Sequence, residues 1–352
     1  MLAAFMVWYG VRMAVRFLPF EAPVAYALMD DHLFVVEHGN RVLDLLYDPS
    51  DQTLTLENCY EVEQDDGRYY YQVRALSSCE HGVMVRTYIY DDATRIFRGY
   101  RYREYDHSRK ATDVLTVYFE DVEEFPEIYY AHGVDGSHLF LSGCVGYPCV
   151  WRVPAGGGVV MSNGADESLV EMSGPVNTEL NPWNALLQVP DGTLYLSSVG
   201  RGQVFPMKGG KLLDRPIGTV GIEPGELLAP RDLMYLAFGD DTNRYLTVAS
   251  QGNRCWVQFD EQGRVVRTVS PLMMDYPYPD ILVAELMPGP DGSWLTCDLI
   301  SRAFLRLGPD DLSIITGYTE RRWGVSAAFI GAALLLLAFA VIGFARRWFL
   351  YR

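Results

Sequence analysis

The sequence predicts an all-β fold, a six-bladed β-propeller, with a C-terminal transmembrane α-helix and an N-terminal membrane-associated helix. Three observations predict it. A pair of short strands around a polar loop recurs along the middle of the chain. Prolines recur in phase with those pairs. A long uncharged apolar run lies near the C-terminus. Four parts follow: residues 1–20, the N-terminal helix; 21–320, the propeller; 324–344, the membrane span; and 345–352, a short basic tail.

The first 20 residues read MLAAFMVWYGVRMAVRFLPF, and their uncharged run stops at Arg12, too short to cross a bilayer. Arg12 and Arg16 stand one helical turn apart and share a face with Trp8 and Phe20. Three readings fit this pattern. One is an amphipathic helix lying in the interface. Another is a signal anchor whose arginines snorkel to one side. The third is a secretory signal, although its basic residues should precede the apolar run. A retained, membrane-associated helix is the expectation taken forward.

The propeller rests on the repeat. LFVVEHGNRVLDL begins at Leu33, LFLSGCVGYPCVWRV at Leu139, LYLSSVGRGQVFPM at Leu194, LTVASQGNRCWVQF at Leu246 and WLTCDLISRAFLRL at Trp294. The last three intervals are 55, 52 and 48 residues, and the first, 106, holds two copies. The copy between residues 60 and 115 supplies alternating strands without a clear register, which makes six. Pro23, Pro126, Pro182, Pro230 and Pro279 each head the strand before a pair. Asp48-Pro49, Gly156-Gly157, Gly209-Gly210, Gln262-Gly263 and Gly308-Pro309 close the outer strands. One four-stranded sheet cannot bury both faces, whereas blades packed around an axis can, and closing the ring leaves only short edges. A β-sandwich predicts no in-phase repeat of this length.

Residues 324–344, GVSAAFIGAALLLLAFAVIGF, carry no charge, are long enough as a helix to span a bilayer core, and are flanked by Trp323 and Trp348. Ala327, Gly331 and Ala338 share one helix face, where small residues let a partner helix approach closely. Arg346, Arg347 and Arg352 in the tail meet no acid, whereas Glu320 offsets Arg321 and Arg322. This favours a cytoplasmic tail and a propeller on the periplasmic, extracytoplasmic side of a prokaryotic cell membrane. Lysine occurs only at Lys110, Lys208 and Lys211, a prokaryotic high-GC pattern.

The chain carries −16 overall, but seven arginines and no acid lie outside residues 21–320, so the propeller itself stands at −23. Such a domain repels phosphate backbones and excludes a nucleic-acid partner. It suits solubility, cations or a basic soluble partner. The six cysteines form no CxxC pair, which excludes zinc-ribbon and thioredoxin-like sites. Cys144 and Cys149 are near enough for a disulfide, with buried free thiols as the other reading.

The G-N-R loop at Gly39-Asn40-Arg41 and Gly252-Asn253-Arg254 precedes an apolar strand, with prolines heading the blades and D-G or Q-G turns between strands. This pattern resembles NHL-type repeats. It is similar to the SMP-30/gluconolactonase-like six-bladed propellers across about residues 23–320. The resemblance implies that the innermost strands line a channel and that oxygen ligands converge at its mouth. Glu127, Asn184, Asp232 and Asp280, each following a blade proline, are the candidates for such a Ca²⁺ site, since Ca²⁺ takes six to eight oxygens. These residues are also ordinary turn formers. Blade one reads Pro23-Val24-Ala25, without the acidic residue that the lactonase-like pattern places there.

No HExxH, G-x-S-x-G or phosphate-loop pattern occurs. Arg41, Arg254 and Arg302 recur by position and are read as blade-to-blade contacts repeated by the architecture. The Tyr- and Arg-rich stretch around Arg101, Tyr102, Arg103 and Tyr105 is read as a docking surface for a partner, with an exposed strand face as the alternative. The sequence therefore points to a membrane-anchored, non-catalytic binding or scaffold subunit of a complex of integral membrane proteins, without a cofactor. The alternative is a Ca²⁺-dependent, lactonase-like hydrolase with its site at the channel mouth.

Overall fold

The computed structural model describes residues 15–21, 23–37, 40–62, 66–79, 82–106, 108, 110–119, 127–142, 149–162, 170–173, 183–289, 291–321 and 331–342. A seam strand β1 (Val15–Pro19) precedes blade 1, which is β2 (Pro23–Met29), β3 (His32–Glu37), β4 (Arg41–Asp48) and β5 (Thr53–Glu61). Blade 2 is β6 (Tyr69–Cys79), β7 (Gly82–Asp91), β8 (Phe97–Asp106) and β9 (Ala111–Tyr118). Blade 3 is β10 (Ile128–His132), β11 (His138–Ser142), β12 (Cys149–Val153) and β14 (Val170–Ser173); before β14 the chain crosses as β13 (Val159–Ser162) to pair in parallel with β9 of blade 2. Blade 4 is β15 (Trp183–Gln188), β16 (Leu194–Ser198), β17 (Gln203–Lys208) and β18 (Lys211–Leu212). Blade 5 is β19 (Pro230–Leu236), β20 (Tyr245–Ser250), β21 (Cys255–Phe259) and β22 (Val265–Val269). Blade 6 is β23 (Met287–Pro288), β24 (Trp294–Asp298), β25 (Ala303–Leu307) and β26 (Leu312–Ile315). Six sheets in one ring are the six copies read from the repeat, and the leading residues Leu33, Leu139, Leu194, Leu246 and Trp294 all fall in second strands. The copy without a clear register is blade 2.

The core is divided among the interfaces between blades. Val36 and Val42 of blade 1 pack with Val73 and Val85 of blade 2. Tyr102 of blade 2 packs with Phe140 of blade 3, ring centroids 4.8 Å apart. Leu196 packs with Leu141, Val257 with Val204, and Trp294 with Trp256. The ring closes where Tyr26, Leu33 and Leu45 of blade 1 meet Cys297 and Phe304 of blade 6. Apolar burial on this scale is the dominant favourable term in folding.

The recurrent motifs have local causes. Asp135, Asp191 and Asp291 each accept a hydrogen bond from the backbone N–H two residues on, at 3.1, 2.9 and 3.2 Å, which builds the turn after the first strand. Arg254 and Arg302 take the left-handed conformation (φ 55° and 57°) in the loop after the second strand. Each then reaches the next blade: Arg254 Nη1 donates to the Pro279 carbonyl, and Arg302 Nη1 to that of Glu21. The repeated arginines are thus blade-to-blade staples at blades 5 and 6. In blade 1, Arg41 Nε instead donates to Cys59 Sγ at 3.0 Å within its own sheet.

Closure uses a strand outside the six blades. β27 (Gly317–Arg321) pairs in parallel with β5 on the outer edge of blade 1, and β1 pairs antiparallel with β27, Val15 opposite Arg321 and Pro19 opposite Gly317. This corrects the N-terminal helix expected over residues 1–20, whose last part, Val15–Pro19, is a strand. The unpaired backbone of β27 offers this segment a ladder, and its edge position lets Pro19 sit without a lost sheet bond. Residues 1–14 lie outside the described residues. At the other end, residues 331–342 are helical. Among the described residues no helix is long and apolar enough to cross a membrane. Ala327 and both ends of the expected span lie outside them.

Candidate functional site: the central channel

The innermost strands β2, β6, β10, β15 and β19, with residues 282–288 of blade 6, line a channel along the ring axis. Its inner part is a cavity of about 410 Å³, and a vestibule of about 570 Å³ opens where the innermost strands begin. Each strand reaches the channel with its inner edge, so consecutive residues such as Tyr129, Tyr130 and Ala131 border it.

Of the four residues expected to converge on Ca²⁺, three border the vestibule: Glu127, Asn184 and Asp232. Their surroundings differ. Glu127 sits at the lip, half exposed, 3.6 Å from Arg86 Nη1. The Asn184 amide is committed to the wall, donating to the Pro230 carbonyl at 3.0 Å and accepting from Ser197 Oγ at 2.9 Å. Asp232 faces the cavity. Asp280 is not with them: it is 78% exposed and lies 3.3 Å from Arg254. The reason is blade 6, whose chain runs irregularly from Asp280 until β23 and so breaks the in-phase placement. Among the described residues no three His, Cys, Asp or Glu side chains gather as a metal site.

The residue that joins Asp232 is Glu285, which borders both parts of the channel. Burial, with the nearby Asp232 charge as the second cause, pushes the Glu285 carboxyl up to about 8. Burial pushes Asp232 up to about 6, opposed by Arg231. The tendency of each is to hold a proton rather than a charge, as expected for carboxyls away from bulk water. Around them stand Arg74, Arg86 and Arg231. Arg86 Nη1 donates to the Ile128 carbonyl at 2.9 Å, the same acceptor that takes the Tyr102 hydroxyl at 2.6 Å. Arg74 and Arg86 each lie 5.5 Å from the centroid of the Tyr88 ring. Burial raises Tyr129, also on the wall, to about 12. The channel thus combines three carboxyls, with Glu127 at the lip, three guanidinium groups and aromatic walls.

Glu285, Arg86 and Arg74 were legible as lone charges inside largely uncharged runs, ILVAELM, GVMVRTYIY and YYYQVRAL. A single charge in such a run marks an inward-facing polar group, and that signal outranks the proline spacing. Of the expected docking stretch, the two tyrosines are buried and the two arginines are partly exposed. Tyr102 and Tyr105 are 1% and 8% exposed, and the Tyr105 hydroxyl donates to the Val62 carbonyl at 2.7 Å. Arg101 and Arg103 lie 3.3 and 2.6 Å from Asp113 in the neighbouring strand. Tyr102 and Tyr105 stand three residues apart in β8, so strand alternation sends their side chains toward opposite neighbouring blades. The Cys144–Cys149 pair lies outside the described residues, Cys149 being placed in its backbone only; Cys59, Cys255 and Cys297 are free thiols, and Cys79 Sγ donates to Glu104 Oε1 at 3.3 Å.

No family model and no curated protein matches this chain. Solved structures share its fold. A protein of unknown function from Bacteroides caccae aligns over 83% of this chain and 94% of its own at 14% identity, TM-score 0.51. A streptogramin B lyase aligns over 86% of each chain at 12% identity, TM-score 0.48. A 6-phosphogluconolactonase-like protein from Bacteroides fragilis aligns over 84% of this chain and 86% of its own at 12% identity, TM-score 0.47. At such identities the likeness shows the fold alone: a six-bladed β-propeller.

Proposed function

We propose that this chain is a membrane-anchored propeller that serves as a non-catalytic binding subunit of a membrane assembly, with integral membrane proteins as partners. The observation that carries the reading is the helix at residues 331–342. Its Leu334, Leu335, Leu337, Phe339, Val341 and Ile342 are 51–70% exposed, and residues 324–344 hold no charge. Leaving six such side chains in water costs on the order of 10 kcal/mol, which a bilayer or a partner helix removes. Gly331 and Ala338 supply the close-packing face, and a Cβ at Gly331 would meet no atom within 4 Å.

The test is membrane extraction of the full chain. Wild type stays in the pellet after an alkaline carbonate wash, and a Leu335→Arg, Leu337→Arg double variant moves to the supernatant. Release of the wild type ends the anchor reading. Gentle-detergent purification then reads the assembly: integral partners co-purify in fixed ratio and are lost in Ala338→Leu, whereas a lone protein contradicts the subunit reading.

A second reading, a hydrolase in the channel, is favoured by Asp232 and Glu285, two carboxyls whose environments hold them apart, as acid–base pairs require. Turnover of lactones or phosphoesters that disappears in Glu285→Gln, with or without added Ca²⁺, would select it over the non-catalytic one.

A further inference from the structure

The two faces of the ring differ in kind. The innermost strands all begin at one face, the inlet face, where the vestibule opens. Strand alternation returns the second-to-third strand loops and the blade-to-blade connections to this same face. The first-to-second and third-to-fourth turns lie on the opposite face. Ile96, Val220, Ile222, Leu228, Tyr278 and Ile300 all occupy inlet-face connections, and they are 37–76% exposed. Among the described residues the turns of the opposite face show one large exposed apolar side chain, Val134.

That opposite face carries an aspartate in every blade instead: Asp48, Asp106, Asp135, Asp191, Asp260 and Asp291. Each accepts hydrogen bonds from its own turn. A ring of carboxylates held this way is a hydrated surface.

The inlet face is furnished differently. Blade 2 projects on that side with its long strands β6 and β7. There Tyr70 and Tyr90 stand 6.0 Å apart, Tyr88 and Phe97 5.4 Å, centroid to centroid. Tyrosines with a wet hydroxyl and an apolar ring suit a membrane interface. The exposed Arg74 and Arg231 flank the vestibule. Three carboxylates on this face are engaged locally: Asp280 lies beside Arg254, and Asp66 and Asp91 accept from amides of their own turns, while Glu223 and Asp275 are exposed.

The chain ends point the same way. β5 returns toward the inlet face, where Val62 N–H donates to the Asn40 carbonyl at 3.1 Å. β27 runs parallel to β5, and β1 antiparallel to β27, so Arg321 leaves toward that face and Val15 arrives from it.

We propose that the inlet face lies on the bilayer, with Ile96, Ile222 and Ile300 entering the head-group layer, arginines meeting anionic lipid, and the channel opening onto the membrane. The ring of aspartates faces water. The proposal rests on the membrane-anchored reading and adds an orientation to it. A rigid propeller lying flat would gain from each apolar loop tip it buries, and would deliver whatever the channel binds from the lipid surface rather than from bulk water.

The test is site-specific photo-crosslinking of the full chain in vesicles of phosphatidylethanolamine and phosphatidylglycerol. p-Benzoylphenylalanine replaces Ile222, Ile300, Val134 or Leu337 in turn. All four positions are exposed, so each variant keeps its core. Lipid adducts at 222, 300 and 337 and none at 134 support the proposal. Adducts at 337 alone overturn the orientation while keeping the anchor. Adducts at 134 but not 222 reverse the orientation. No adduct at 337 overturns the anchor itself. Repeating the reaction in native membranes separates lipid from protein: adducts of protein mass at 222 and 300 would assign the face to a protein partner and overturn the lipid assignment.

Discussion

Replacing Glu285 by Gln tests the electrostatics of the channel directly. The folded carboxyl titrates near 8 against an ordinary 4.5. Between those values the folded protein holds a proton that the unfolded chain has released. Rising pH therefore weakens folding across this window, by about 1.4 kcal/mol per pH unit for one such group, and the loss levels off above the folded value. The full interval corresponds to roughly 5 kcal/mol; channel water screens part of it, and roughly 2–4 kcal/mol is the expected difference. Glu285→Gln keeps the shape and cannot ionise. It should match wild type at about pH 4.5 and exceed it by that amount at about pH 8.5. Equilibrium denaturation of detergent-solubilised protein at a series of pH values reads the difference, with other titrating groups common to both proteins. Parallel loss of stability by variant and wild type from pH 5 to 8.5 would refute a proton-holding Glu285.

Three further outcomes follow from the same contacts. Trp256 Nε1 donates to the Ala284 carbonyl at 2.8 Å and Trp294 Nε1 to the Ala237 carbonyl at 2.7 Å, latching blades 5 and 6 in both directions; Trp256→Phe should cost roughly 1–3 kcal/mol, read as a lower denaturation midpoint at unchanged slope. A Cβ on Gly317 would sit 2.2 Å from the Leu18 carbonyl oxygen and 2.9 Å from Pro19 Cα. These are backbone atoms that cannot step aside, so Gly317→Val should open the seam, cost at least about 1–3 kcal/mol and expose β1 to limited proteolysis. Tyr102→Phe leaves Arg86 as the remaining donor to the Ile128 carbonyl and should destabilise by about 1 kcal/mol in the same denaturation assay; an unchanged midpoint would refute a stabilising Tyr102–Ile128 bond.

How much of this was legible follows from where the repeat is strict. Second strands are strict, because each must present apolar residues to two neighbouring blades, so Leu33, Leu194 and Leu246 marked the ring correctly. Residues after the blade prolines are less constrained, since only a turn is required there. Spacing therefore brought Glu127, Asn184 and Asp232 together but misplaced Asp280. It also passed over Glu285, which joins Asp232 from a segment without regular pairing until β23. The tyrosines of β8 misled for a different reason. In a propeller both faces of a blade are buried, so an alternating Tyr/Arg strand has no solvent side, and its arginines find partners such as Asp113 within the sheet. Val15–Pro19 became a strand because β27 offered an unpaired edge, a tertiary circumstance that helical spacing of Arg12 and Arg16 cannot reveal.

Composition alone also conceals the polarity of the ring. A net charge of −23 over residues 21–320 describes an acidic domain, yet its exposed apolar loop side chains gather on the inlet side. Each hairpin turn on the far side needs a residue that bonds its own backbone, and aspartate does this while staying hydrated. The connections between blades carry no such demand, which leaves them free to hold Ile222 or Tyr278. If the apolar residues were neutral drift, they would appear with equal ease in the far turns, where Val134 is the one described case. Their gathering on the side toward which both chain ends run is what the proposed membrane-facing orientation requires, and under that proposal the vestibule, with Asp232 and Glu285 beneath it, is a site approached from the lipid side.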